Sequence, residues 1–200
     1  MRQKTLTYTL TALDADGFFN DVTGDISATA WTTANSALTD GCAHYVSLAS
    51  SSDLRAITFT FTGTDAEGRP QTESSIGPNN TTIYLTKYFA TITSVLSSAT
   101  LGANTMDVGW TGAAYTPCIP VDRCAGNGAA VGCDISGTIS YTVQNTNDDI
   151  WNDQTPSWYD LIDARTTDWY GTAEPGSTGV RVAIASHTSG VVIFTVSQGA

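Results

Sequence analysis

Apolar residues recur at every second position through most of this chain. Leu6, Tyr8, Leu10 and Ala12 share one face of a first segment, and Ile57, Phe59 and Phe61 alternate with Thr58, Thr60 and Thr62. A period of two puts successive side chains on opposite faces of a pleated strand, so both segments read as half-buried strands with threonine outward. Tyr45-Val46-Ser47-Leu48 leads towards the second of them, and Thr64-Asp65-Ala66-Glu67-Gly68 turns out of it. Asp and Gly suit that bend because they accept turn geometry that β-branched residues resist. The same reading predicts strands over 71–76, 82–85, 89–96 and 104–110, with Gly77-Pro78-Asn79-Asn80 as a loop.

A break follows at 111–134, which holds Pro117 and Pro120, several glycines and Cys118, Cys124 and Cys133. Its only regular piece is Cys118-Ile119-Pro120-Val121. Alternation then resumes, with Ile135, Gly137, Ile139, Tyr141 and Val143 opposite Thr138, Ser140, Thr142 and Gln144. Val180, Val182 and Ile184 alternate with Arg181 and Ala183, and Ser189-Gly190 is expected to reverse the chain into 191–198 as a hairpin. Helix signals amount to single turns at 160–164 and 33–38. The expected fold is all-β with antiparallel β-sandwich architecture. It divides into two tandem modules, residues 1–112 and 113–200, the second opening with the cysteine-bearing loop 111–134; a single ten-strand sandwich is the alternative.

Composition changes the picture in one respect. Charged residues make up only 14% of the 200 positions, against about 25% in an average protein, so Thr, Ser, Asn and Gly must supply the polar surface. The 19 acids and 8 bases leave a net charge of −11, which repels phosphate. Nucleic acid is therefore not expected as a partner. Lys4 and Lys87 are the only lysines, so a basic membrane-binding face is not expected either. The N-terminal residues alternate instead of forming an apolar signal segment, and no stretch of 18 apolar residues occurs. The expectation is a chain made in a cytoplasm, without a signal peptide or a transmembrane segment.

Residues able to carry chemistry are few. The cysteines Cys42, Cys118, Cys124 and Cys133 lack the paired short spacing of zinc sites and read as thiols, with one disulfide inside 118–133 left open. His44 and His187 are the only histidines, and no nucleophile elbow accompanies them, so a turn histidine is preferred to a catalytic one. Asp14-Ala15-Asp16-Gly17 and Asn147-Asp148-Asp149 resemble fragments of calcium loops. The first lacks the third acid and the bidentate glutamate, and tight-turn chemistry is preferred for both. Gly126-Asn127-Gly128 does not connect a strand to a helix, so it is no phosphate loop. No catalytic, cofactor-binding or metal-binding residue is assigned. The aromatics Trp151, Trp158, Tyr159, Trp169 and Tyr170 fall within twenty residues and are the candidate protein-interface set, with sugar stacking and a structural cap as the other readings.

Two stretches carry a family resemblance. Ile57 through Glu73, with Gly77-Pro78, Lys87-Tyr88-Phe89-Ala90-Thr91-Ile92-Thr93-Ser94-Val95 and Val108-Gly109-Trp110, resembles a β-hairpin module of tailed-bacteriophage structural proteins. Ile119-Pro120-Val121-Asp122, Ser136 through Asp149, Trp158, Val180-Arg181, Ser189-Gly190 and Thr195 through Gly199 are similar to a second virion module. The loop Cys118–Cys133 departs from that pattern. The resemblance covers about two thirds of the chain and implies a non-enzymatic virion protein, without catalytic residues or cofactors. A capsid decoration or cement protein is the leading expectation, acting as a dimer or trimer on the major capsid protein and other virion proteins. A neck or tail accessory protein is the alternative in the same class. A carbohydrate-binding or adhesin module using the tryptophans is the alternative in another.

Overall fold

The computed structural model describes residues 3–24, 38–122, 128–152 and 155–198. Among them there is no helix, and the strand pairings are antiparallel. The chain is all-β, as the alternation predicts. The strands are β1 (Lys4–Thr9), β2 (Asp14–Gly24), β3 (Ala43–Asp53), β4 (Thr58–Thr64), β5 (Pro70–Ile76), β6 (Asn79–Phe89) and β7 (Thr91–Ser97). They continue as β8 (Gly102–Tyr115), β9 (Ile119–Pro120), β10 (Ala129–Thr146), β11 (Tyr159–Asp160), β12 (Trp169–Ala173) and β13 (Gly179–Ser197). Two compact units result: residues 12–114, and residues 1–11 together with 115–200.

The unit at 12–114 is a two-layer sandwich. One layer is ordered β2-β8-β3-β6, the other β5-β4-β7. Val46, Leu48, Leu85, Phe89, Met106 and Val108 face inward from the first layer, and Phe59, Phe61, Ile92 and Val95 from the second; all are fully buried. Each aliphatic or aromatic side chain so buried contributes roughly 1.5–3 kcal/mol relative to exposure, which is what holds the layers together. The expected β4–β5 turn forms around Asp65, whose carboxylate accepts the backbone N–H groups of Glu67 (3.0 Å) and Arg69 (2.8 Å). Where the sequence predicts one strand over 89–96, two meet: Phe89 closes β6 and Thr91 opens β7. Ala90 between them donates its N–H to the Thr64 carbonyl (2.9 Å).

The unit formed by 1–11 and 115–200 is organised on β10 and β13, which pair from Ala130↔Ser197 to Thr146↔Gly179. Register shifts at Thr138/Ile139 and Ser140/Tyr141 bend this ribbon in the middle. The two halves face each other, because the Tyr141 hydroxyl in one donates to the carbonyls of Thr167 (2.9 Å) and of Cys133 (3.4 Å), the latter in the other half. Val131, Cys133, Val143, Val182, Phe194 and Val196 are among the buried residues that alternation points inward.

Four expectations are corrected here. Ser189-Gly190 does not reverse the chain: β13 continues through it, and both of its halves pair with β10. The break is also shorter than 111–134, since β8 continues to Tyr115 and β10 starts at Ala129. The buried series Ala129, Val131, Cys133 is a true period-two face, but its small side chains beside Gly128 and Gly132 mute the signal. Finally, β1 joins the 115–200 unit and not the module at 1–112. It pairs along β13 with Leu6 opposite Phe194 and Tyr8 opposite Val192, covering an edge that would otherwise stay open. The single helical turn expected at 160–164 is instead the end of β11 followed by bends; residues 33–37 of the other lie outside the described residues.

Candidate interaction surface

β11 and β12 line the side of β10 that faces away from β13. Tyr159 lies opposite Asn145, while Trp169 and Tyr170 lie opposite Cys133 and Gly132. Four of the five candidate aromatics therefore belong to, or directly precede, the strands of a single edge, and the fifth, Trp151, sits in the turn that follows β10. Their environments differ sharply. Trp151 is 75% exposed, Tyr170 70% and Tyr159 58%, whereas Trp158 and Trp169 are half-buried.

Local packing explains the difference. The Trp169 ring folds over Gly171, and the Tyr170 ring lies on Gly132 of the neighbouring strand, where the absence of a Cβ leaves room for it. The Tyr170 hydroxyl donates to the Asp134 carboxylate, which holds the phenol above its usual range. Trp158 packs on the Arg181 guanidinium, 4.0 Å from the ring centroid, and Tyr115 covers the same guanidinium at 3.9 Å. A cation held between two ring faces is attracted by both quadrupoles. Arg181 Nε also donates to Gln144 Oε1 (2.9 Å), and Gln144 Nε2 donates to Asp160 Oδ1 (2.8 Å). Trp158 is thus the lid of a buttress that fixes β11. That leaves Trp151, Tyr159 and Tyr170 as the large rings presented to solvent at this edge.

The histidines are not turn residues. His44 lies on β3 with no exposure; its Nε2 is 2.8 Å from Asp40 Oδ2 and its Nδ1 3.1 Å from the Thr111 carbonyl. Both ring nitrogens face acceptors, which makes the pair a buried cross-tie. His187 is also buried, on β13, with Nε2 2.8 Å from the Thr11 carbonyl. Burial likewise governs two of the thiols. It pushes Cys133 up to about 12 and Cys42 further still, so neither is a nucleophile at neutral pH. Cys124, and with it the question of a disulfide in that loop, lies outside the described residues, as do Gly126 and Asn127.

The carboxylate motifs serve the backbone. Asp149 Oδ1 accepts the N–H of Trp151 two residues on (3.0 Å), the turn chemistry expected of it, whereas Asp148 Oδ2 accepts the N–H of Ser157, nine residues on (2.6 Å). Asp14 and Asp16 lie within β2. Asp14 Oδ1 accepts the Asp16 N–H (3.3 Å), and the side-chain hydrogen bond with Asp14, followed by lost solvation, holds Asp16 above the usual carboxylate range. Among the described residues no three His, Cys, Asp or Glu side chains converge as a metal site. Sequence reasoning missed one feature of the 12–114 unit: Tyr45 stacks on Tyr84 (5.7 Å, 13°) and packs on Tyr88 (5.0 Å) on the outer face of β3 and β6. Only strand register brings those three rings together, and no spacing rule along the chain signals it.

The chain matches no protein-family model, no curated protein and no solved structure. Among the described residues no helix is long and apolar enough to cross a membrane.

Proposed function

We propose that this chain is a non-enzymatic structural protein of a tailed-bacteriophage particle, a decoration or cement protein that binds the outer surface of the head and stabilises the shell. The single observation that carries the reading is the aromatic edge of the 115–200 unit, where Tyr159 and Tyr170 project from strands and Trp151 from the turn after β10, all three exposed. Large amphipathic rings lose little conformational entropy on docking and dominate the energetics of protein contacts. Thr is the commonest residue among the remaining exposed positions, and its neutral hydroxyl can meet a protein lattice without stranding charge. The virion assignment itself rests on the resemblance of the two β patterns. Cement action follows from linkage, since a protein that binds only the assembled shell lowers its free energy relative to separated subunits. A dimer or trimer would match repeated contacts on a symmetric lattice.

The test is co-sedimentation of the purified chain with undecorated heads over a range of salt, together with imaging of intact particles to locate it. The expected result is binding that raises the melting temperature of the heads and weakens at least tenfold in Trp151→Ala, whose own melting temperature stays unchanged. Failure to co-sediment at every salt concentration, or density on the tail alone, overturns the reading.

A further inference from the structure

A cleft of about 330 Å³ opens beside β11, between the end of β10 and β12. Tyr159 and Asp160 form one wall, Thr172 and Glu174 the other, and Asn145 and Asn147 lie at the end of β10. Among the described residues, Leu161 is the only aliphatic one lining it. Most small-molecule sites are apolar with a few polar groups, whereas this one is polar with a single exposed ring. Much of its hydrogen-bonding capacity is unspent. Among the described residues no hydrogen bond engages Asp160 Oδ2, the Glu174 carboxylate, or the side chains of Asn147 and Thr172.

We propose that this cleft binds a neutral saccharide. A sugar ring has an apolar C–H face, which suits the Tyr159 ring, and a rim of hydroxyls, each both donor and acceptor. Carboxylates accept from such hydroxyls and amides serve both roles, so Asp160, Glu174 and Asn147 are a matching set. Two carboxylates, with no Lys or Arg among the described residues of the lining, disfavour phosphorylated, sulfated and sialylated ligands by repulsion. The groups are also held in place. Asp160 is fixed through Oδ1 by Gln144, itself held by Arg181 clamped between Tyr115 and Trp158. Asn145 is buried and donates to Ser177 Oγ (2.8 Å). Polar groups fixed by a supporting layer lose less entropy on binding, the usual condition for a weak-contact site to hold a ligand. The tryptophans take no part: Trp158 supports the wall from behind, and the stacking ring is Tyr159.

A neutral-glycan array probed with the full chain, followed by calorimetry with the best oligosaccharide, tests this. The expected result is binding to neutral glycans only. It should weaken about tenfold or more, or 1.4 kcal/mol, in Tyr159→Ala and in Glu174→Gln, and stay unchanged in Trp151→Ala. Melting temperatures confirm that the variants fold, which is expected because both side chains are exposed. No neutral glycan bound, a preference for acidic glycans, or affinity indifferent to both cleft variants overturns the proposal. So does saturable Ca²⁺ binding lost in Glu174→Gln without any saccharide bound. Head binding rests on Trp151 and glycan binding on Tyr159 and Glu174, so either reading can fail while the other stands.

Discussion

Gly137 and Gly190 stand directly opposite each other in the β10–β13 ladder, and both have positive φ, 92° and 141°. A Cβ on Gly190 would sit 2.0 Å from the Ser136 carbonyl oxygen, and one on Gly137 2.5 Å from that of Ser189. This pair, beside the register shifts at 138–141, is where the ribbon bends without ending, and so both halves of each strand can line one core. Alanine at either position should cost roughly 1–3 kcal/mol from the disfavoured backbone alone, with more at Gly190 from the closer clash. Urea titration of the two single variants and the double variant measures this. The double variant should lose less than the sum, because the first substitution already distorts the shared bend.

Glu73 closes the sandwich of the 12–114 unit at one corner. Its Oε1 accepts the backbone N–H (2.7 Å) and hydroxyl (2.8 Å) of Thr86, and its Oε2 accepts the N–H of Lys87 (2.8 Å). β6 ends its layer, so the carboxylate occupies donors that another chain could otherwise pair with. Glu73→Ala should destabilise by about 1–3 kcal/mol. Amide exchange at Thr86 and Lys87 should accelerate, and soluble aggregates should appear on concentration. Light scattering and exchange measurements check both.

Alkali should unfold this protein earlier than its acidic charge suggests. Burial holds the Cys133 thiol up to about 12, above its ordinary value of 9.0, and raises Cys42 and the Tyr141 phenol as well. A raised value in the folded state means the stability these groups confer is complete below the unfolded value. It is lost as pH climbs from about 9 towards 12. Urea midpoints should fall progressively over that range, and less steeply in Cys133→Ala. At neutral pH, Cys42 and Cys133 should resist a thiol reagent until denaturant is added.

Replacing Arg181 tests the buttress behind β11. Arg181→Met removes the charge between Tyr115 and Trp158 and should cost on the order of 1–2 kcal/mol. Arg181→Lys keeps the charge but not the planar stacking and should recover only part of it. Tryptophan emission should shift to the red in both as Trp158 loosens, and glycan binding should weaken with it through Asp160.

Much of the architecture was legible along the chain, and unevenly so. Ile57–Phe61 and Ile139–Val143 announced themselves because large apolar side chains alternate there with Thr and Ser, and both became buried strand faces. Ala129–Cys133 did not, since glycine and alanine carry little hydrophobic contrast. β11 and β12 were missed because each is short and its partner, β10, is needed to define it. Ser189-Gly190 misled for a chemical reason: the same glycine that permits a reversal also permits a bend in a continuing strand. Only the opposite strand, with Gly137 in register, distinguishes the two. At the candidate edge the sequence marked five aromatics by proximity, but it could not say that Trp158 clamps Arg181 while Trp151, Tyr159 and Tyr170 meet solvent.

By itself, then, the sequence determined that this protein is all-β and that its surface is Thr-rich and sparsely charged, because period-two alternation and composition are local properties that survive any arrangement of strands. The tertiary structure alone decided which strands pair, that β1 joins the far unit, that both histidines are buried cross-ties, and that a polar cleft forms beside Tyr159. Those outcomes depend on contacts between residues tens to nearly two hundred positions apart, whose energies appear only when register and bends are set.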